Sequence, residues 1–328
     1  MTNTALPITA ADIDAAARVI APYAVRTPLL PVPALDALTG GRIFVKPEVL
    51  QRTGSFKFRG AFNKLSSIPQ AERGRGVVAF SSGNHAQGVA AAAQILGMKA
   101  TIVMPSDAPA MKVARTRGYG AEVVLYDRDK EDREAIARKI SGDSGATVVP
   151  PYDDVFVMAG QGTVGREIAE DLAAQAVVPD IVSAQASGGG LIGGIAVAVK
   201  ARFADASIIV AEPAGYHDHE LSLKAGKPVA HGNHGRTICD ALMAQQPGDI
   251  TFAVNKHLLA GAVSATDQEV MEAMAFAFRD LKLVVEPGGA VALAALLKGK
   301  IDARGKTVVI VLSGGNVDAE LYSKVISV

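Results

Sequence analysis

GVVAFSSGNHAQGVAAAAQILGMKATIVM, residues 76–104, decides the fold class. Its ends, GVVAF (76–80) and ATIVM (100–104), are short runs rich in β-branched residues. Apolar side chains fill almost every position, the pattern of strands buried on both faces. Between them lie a polar loop, SSGNHAQG (81–88), and an Ala-rich helical stretch over 84–96. Ser and Asn are natural helix caps, so the loop also reads as the start of that helix. Strand, helix and strand in succession make a parallel βαβ unit.

The same alternation extends in both directions. RIFVK (42–46), AEVVLY (121–126), PDIVSAQ (179–185), SIIVAE (207–212) and KTVVIVL (306–312) read as strands. Helical patterns over 110–117, 129–140, 158–174, 191–203, 266–280 and 289–298 fall between most of them, and TAADIDAAARVI (9–20) reads as an amphipathic helix capped by Thr9. The class is therefore α/β, with parallel sheets flanked by helices. SGDSGATVVPPYDD (141–154) breaks the pattern with Gly and a Pro pair. The expected division is a small α/β domain over 76–148 inserted into a larger one made of 1–75 and 149–328.

Composition narrows the function classes. Lys plus Arg and Asp plus Glu number 33 each among 328 residues, and there is no Trp. A neutral chain without a basic run gives no reason to expect nucleic acid or a membrane surface as partner. The longest apolar runs are interrupted by Gly and polar residues, so no membrane span is expected. No basic segment precedes an apolar stretch at the N-terminus, and the single cysteine, Cys239, permits no internal disulfide. A cytoplasmic, reducing location is the expectation. Cys239 itself reads as a small buried apolar residue.

Three polar glycine loops follow strands: SSGNHAQG, SGGGLIGG (187–194) and SGGN (313–316). In parallel sheets ligands bind beyond the carboxyl ends of strands, so the three loops are expected at one cleft. SGGGLIGG also opens a helix, and glycine N–H groups there form an anion site suited to phosphate. The same letters satisfy G-x-G-x-x-G at Gly188, Gly190 and Gly193, with Glu212 where a ribose-binding acid belongs. A nicotinamide dehydrogenase is thus one reading, and a non-catalytic binding protein another.

TGSFKFRGA (53–61) poses a different question. Lys57 stands between Phe56 and Phe58, after a Ser55 that reads as a helix N-cap. A helix N-terminus disfavours a cation, and apolar neighbours penalise any charge. Both push Lys57 toward its neutral amine, which is a nucleophile for aldehydes. A nucleophilic lysine and a phosphate loop together suggest pyridoxal phosphate.

GSFKFRGA, SSGNHAQG, SGGGLIGG, VEPGGA (285–290) and SGGN, in this order, resemble the fold type II pyridoxal-phosphate enzymes, and more narrowly the serine/threonine dehydratase and serine racemase group. The resemblance implies a tryptophan-synthase-β-like two-domain architecture and a homodimer. It implies that Lys57 holds the cofactor as a Schiff base and takes the substrate Cα proton. By the same resemblance Phe56 would pack beside the ring, Asn84 would bond its hydroxyl, and Ser187, Gly188, Gly189, Gly190 and Leu191 would cradle the phosphate. Glu286 of VEPGGA lies at the cofactor, and Ser313 faces the pyridine nitrogen as a neutral partner. On the same resemblance, Ser81, Ser82, Asn84 and His85 would bind the substrate carboxylate. Ser82 also matches the racemase acid/base, which leaves racemisation of serine or aspartate open.

AEPAGYHDHE (211–220) resembles the family's divalent-cation site, with Glu212, Asp218 and the Tyr216 carbonyl as ligands. All-oxygen ligation suits Mg²⁺, Mn²⁺ or Ca²⁺. His217 and His219 flank Asp218 but make a poor zinc site on this reading. The implied activity is α,β-elimination from a β-hydroxy amino acid, threonine or serine first and 3-hydroxyaspartate second. Arg133, aligned with a racemase arginine, favours the dicarboxylate if it points inward; its bland alternative is a surface pair with Asp129. ALMAQQ (241–246) departs from the Ser-rich stretch expected of racemases, and the short segment after SGGN leads us to expect no C-terminal regulatory domain.

Overall fold

A computed structural model of the chain describes residues 5–81, 83–108, 110–232 and 235–327. Among these residues ten strands form two sheets. They are β1 (Leu30–Pro31), β2 (Arg42–Pro47), β3 (Val77–Phe80), β4 (Ala100–Pro105), β5 (Glu122–Tyr126), β6 (Thr147–Val148), β7 (Ile181–Gln185), β8 (Ser207–Pro213), β9 (Gly261–Ala265) and β10 (Thr307–Leu312). The larger sheet has the order β1-β2-β10-β7-β8-β9, parallel except that β1 runs against β2, pairing Leu30 with Val45. The smaller, β5-β4-β3-β6, is parallel throughout, and its strands all fall between Val77 and Val148.

The helices are α1 (Ala10–Ile20), α2 (Pro33–Thr39), α3 (Lys57–Ser66), α4 (Asn84–Leu96), α5 (Ala110–Gly118), α6 (Arg133–Ser144), α7 (Val155–Ala174), α8 (Gly190–Arg202), α9 (Asp218–Ala225), α10 (Asp249–Leu258), α11 (Asp267–Phe276), α12 (Pro287–Leu297) and α13 (Ala319–Ile326). Apolar stripes dictate their placement. α11 and α12 bury one face of the larger sheet, and α7 and α8 the other. α12 is buried from Pro287 to Leu296 because its sequence has no polar face, only Pro, Gly and aliphatic residues. α3 and α4 pack on the smaller sheet with Phe58, Phe62, Val89 and Ile102 in one cluster.

Thr9 caps α1 as read, in a capping box with Asp12. Two expectations fail locally. Ser55 is not the N-cap of α3; Phe56 is, without a side-chain bond. Ser55 is instead bridged to Gly314, which ties the lysine loop to the end of β10. The helix expected from 129 begins at Arg133, because the Asp132 side chain accepts from Glu134 and Ala135 N–H and caps it there.

A buried ion cluster anchors α3. Arg59 is fully buried and bonds Glu48 after β2 (Nε–Oε2 2.7 Å) and Glu167 on α7 (Nη1–Oε1 2.6 Å). Lys46 adds a 2.6 Å contact to Glu167. Burial alone would raise the Glu167 pKa, but Arg59 and Lys46 outweigh it and hold the carboxyl below its ordinary value.

Candidate active site

The loops after β3, β7 and β10 converge, as parallel-sheet topology requires, on a cavity of about 300 Å³ between the two sheets. Lys57 lies in its wall at the first residue of α3. Its Nζ donates to the Pro151 carbonyl at 2.6 Å and sits 5.2 Å from the centre of the Phe56 ring. Burial lowers the ammonium pKa from 10.5 to about 8. Phe56, also in the wall, is fixed by its N–H to the Ser313 carbonyl at 3.0 Å.

The glycine loop, Ser187 to Leu191, lines the same cavity as Lys57. Its carbonyls turn away from the cavity. Gly188 O accepts from Gly248 N–H and from Thr251 Oγ1 at 2.5 Å, and Gly189 O from Asn255 Nδ2 at 3.3 Å. The N–H groups of Gly188, Gly189, Gly190 and Leu191 donate to no other described residue. Four free donors at the N-terminus of α8 fit a phosphate. Gly189 has φ +93°, a conformation glycine adopts freely. A Cβ on Gly188 would stand 2.1 Å from the Tyr152 ring, so the loop tolerates no side chain there. The residues present thus fit pyridoxal phosphate: a half-buried amine of lowered pKa, an anion cradle and an aromatic wall.

Asn84, at the start of α4, is held by both ends of its amide. Nδ2 donates to Glu286 Oε1 at 2.5 Å, and Oδ1 accepts from Asn316 Nδ2 at 2.8 Å. Burial raises Glu286 to about 7, with Asp240 adding to the shift and Lys112 and Asn84 opposing it. Gly314 explains one glycine of SGGN: a Cβ there would meet Glu286 Oε1 at 2.2 Å. Ser313 is buried and lines the cavity. Ser81 lines it too, its Oγ accepting from Gly83 N–H at 3.2 Å. Ser82 lies outside the described residues. His85 is anchored by Nε2 to the Val149 carbonyl at 2.9 Å. Burial, helped by Lys57, lowers the imidazole to about 3, so it is neutral and its Nδ1 has no partner.

Arg133 points inward. It lines the cavity, its guanidinium 5.4 Å from the centre of the Phe80 ring. Among the described residues no ion pair joins it to Asp129, so the bland surface pairing is not formed. Lys112 and Arg128 reach the same cavity, Lys112 bonded to Asp240 at 2.6 Å and Arg128 to Asp107 at 3.1 Å. Sequence reasoning passed over both, and over Tyr152. Nothing local marks them; only the fold brings them to the cavity.

Glu212, Asp218 and His219 each offer a ligand atom within 4.8 Å of the others, and all three are buried. Asp218 lies at 1 % exposure, and neither of its carboxylate oxygens has a hydrogen-bond partner. Buried, unpartnered carboxylate oxygens fit a cation. His219, discounted from the sequence, lies beside the expected Glu212 and Asp218, its Nδ1 3.3 Å from Glu212 and 3.4 Å from Asp218. Burial alone would lower the His219 pKa; the two carboxylates outweigh it and raise the imidazole to about 9. Tyr216 is buried next to this cluster in sequence, its hydroxyl donating to the Gly235 carbonyl. Glu212 itself accepts from His219 N–H and Glu220 N–H at the start of α9. It is therefore not presented to a ribose, and the dehydrogenase reading loses its acid. Cys239 is buried, which pushes its thiol up and leaves it inert.

Comparison with known proteins gives the same picture. The chain is 45% identical over 315 residues to an L-threo-3-hydroxyaspartate ammonia-lyase of Pseudomonas sp, covering 96% of this chain and 97% of that one. It is 40% identical to an L-threo-3-hydroxyaspartate ammonia-lyase of Saccharomyces cerevisiae, covering 96% and 95%. Among solved structures, the T.th. threonine deaminase superposes with a TM-score of 0.89 at 42% identity, over 95% of this chain and 99% of that one. The family model described as pyridoxal-phosphate dependent enzyme matches residues 20–314. With a lysine of lowered pKa lining one cavity with a glycine cradle and a match across nearly its whole length, the chain belongs to the pyridoxal-phosphate dependent enzymes.

Proposed function

We propose that the chain is an ammonia-lyase. It eliminates the β-hydroxyl of a β-hydroxy-α-amino acid and yields a 2-oxo acid and ammonia. The observation that carries this reading is the Lys57 amine, desolvated to a pKa of about 8 and facing the cradle across one cavity. The relatives named above carry the same class of activity.

Pyridoxal phosphate, when bound, supplies the electron-withdrawing ring that acidifies the substrate Cα–H. The N–H groups of Gly188 to Leu191 hold its phosphate at the N-terminus of α8. Asn84, Ser313 and Phe56, which line the same cavity, would hold its ring. Ser81 and the start of α4 hold the substrate carboxylate, with neutral His85 beneath them. Lys57 accepts the Cα proton as a neutral base near its own pKa. The β-hydroxyl then leaves as water with the proton Lys57 has taken, which restores the neutral amine, and the enamine product hydrolyses in solution to the 2-oxo acid and ammonia. The proposal includes a divalent cation held by Glu212, Asp218 and the Tyr216 carbonyl, with His219 beside the two carboxylates, a homodimer and a cytoplasmic setting.

Threonine and serine are the first substrates of this reading. A second reading, 3-hydroxyaspartate, is favoured by one observation: Arg133 faces the cavity and is not paired with Asp129. A panel of L-serine, L-threonine and both 3-hydroxyaspartate diastereomers, scored for 2-oxo acid, tests the function. Arg133→Ala should lower kcat/KM on the dicarboxylates about ten- to a hundredfold, the worth of a charge-assisted hydrogen bond. Equal losses on threonine would remove the second reading, and no 2-oxo acid from any substrate would remove the first.

A further inference from the structure

His219 has two neighbourhoods. Its Nδ1 faces the carboxylates of Glu212 and Asp218, and its Nε2 faces the glycine cradle. A Cβ on Gly189 would stand 2.6 Å from Nε2 and 2.5 Å from Asn255 Nδ2, so both side chains abut the loop backbone. Asn255 completes the connection. Its Nδ2 lies 3.2 Å from His219 Nε2 and donates to Gly189 O at 3.3 Å. His219 and Asn255 are both fully buried. Three groups here are incompletely satisfied: the Asp218 oxygens, His219 Nδ1 and Asn255 Oδ1. Such a cluster is costly unless something binds it.

We propose that His219 and Asn255 join the cation site to the phosphate cradle, so that a divalent cation and pyridoxal phosphate each tighten the binding of the other. The proposal rests on the cation reading given above. Two effects have the same sign. A divalent cation cancels the charge of two carboxylates that otherwise oppose a phosphate held one side chain away. It also fixes the imidazole. With Glu212 and Asp218 on the cation, the His219 Nδ1–H donates to their outer oxygens, and Nε2 accepts from the same Asn255 Nδ2 that donates to Gly189 O. His219 and Asn255 then clamp Gly189 in the conformation that presents its loop N–H groups, and a preorganised cradle binds more tightly. His219 and Asn255 are positioning residues in this scheme; neither touches the substrate.

The test is a linkage measurement on the full-length protein. Pyridoxal phosphate affinity is followed by the visible absorbance of the bound cofactor, with MnCl₂ or with chelator. Mn²⁺ affinity is measured calorimetrically with and without cofactor. Wild type should show each ligand tightening the other by the same factor, about tenfold, within the range usual for coupled sites. Asn255→Ser and His219→Gln should still bind Mn²⁺ through the carboxylates, yet show coupling below about threefold, since the clamp is gone. A role confined to stability would lower the melting temperature without changing the coupling factor. Mn²⁺ that binds wild type without changing cofactor affinity would overturn the proposal, as would full coupling in both variants. Failure of Mn²⁺ to bind at all would overturn it together with the cation reading, while 2-oxo acid release reports separately on the lyase reading.

Discussion

Lys57 Nζ donates to the Pro151 carbonyl at 2.6 Å, so the amine that faces the cradle is tethered to the segment entering α7. The tether sets the direction of the nitrogen, and burial sets its charge. A lysine lowered to about 8 is protonated below that pH and free above it. The rate at which cofactor-free protein captures pyridoxal phosphate should therefore rise about tenfold per pH unit up to pH 7 and level off above about 8. Stopped-flow absorbance from pH 6 to 10 checks this. A rate still climbing steeply at pH 10 would mean an ordinary lysine.

Gly188→Ala should empty the site. The new Cβ would fall 2.1 Å from the Tyr152 ring, inside any tolerable contact. Either the ring or the loop must move, and both border the cradle. Cofactor content after purification, read by absorbance, should fall at least about tenfold, while the far-ultraviolet circular dichroism stays at wild type. This matches the cost of a displaced backbone at a site built from main-chain donors.

Glu286 should give the stability curve a slope. Its carboxyl is raised from 4.5 to about 7, so the folded chain binds more protons than the unfolded chain between those values. Its contribution is complete below pH 4.5 and is lost as pH rises through 7, a change of roughly 3 kcal/mol. Thermal melts from pH 5 to 8 should show this fall in the wild type. Glu286→Gln keeps an acceptor for Asn84 and should flatten it; an unchanged slope would contradict the assignment.

Arg59→Met should destabilise the chain by roughly 3–5 kcal/mol, because Glu48 and Glu167 would be left buried with too little compensation. Lys46 would keep one contact with Glu167. Denaturant unfolding measures the loss. A change under about 1 kcal/mol would show that the cluster is solvated or rearranges.

Much of this was legible in the chain itself. The helix read over 84–96 is α4, Asn84–Leu96, because an Ala-rich run between a polar loop and Gly97 leaves little choice. The long apolar strands were equally plain. β9, Gly261–Ala265, was not read, since GAVSA is short and mostly small residues and forms a strand only by pairing with β8. α10 was missed because Ile250, Thr251 and Val254 blur the helical signal with β-branched residues. At the site, the glycine loops and Lys57 were visible as motifs. The Asn84–Glu286 and Asn84–Asn316 bonds span more than two hundred residues and needed the fold. So did His219, whose place beside Asp218 was visible but whose contact with the cradle was not.

The central claim is that Lys57, and no other lysine, bears the cofactor. Purified holoprotein reduced with borohydride, digested and analysed by mass spectrometry tests it directly. The account predicts a pyridoxyl-phosphate adduct on the peptide containing Lys57 at near-unit occupancy. An adduct on Lys112 or Lys46, or an unmodified Lys57 in protein that still turns over, would contradict it.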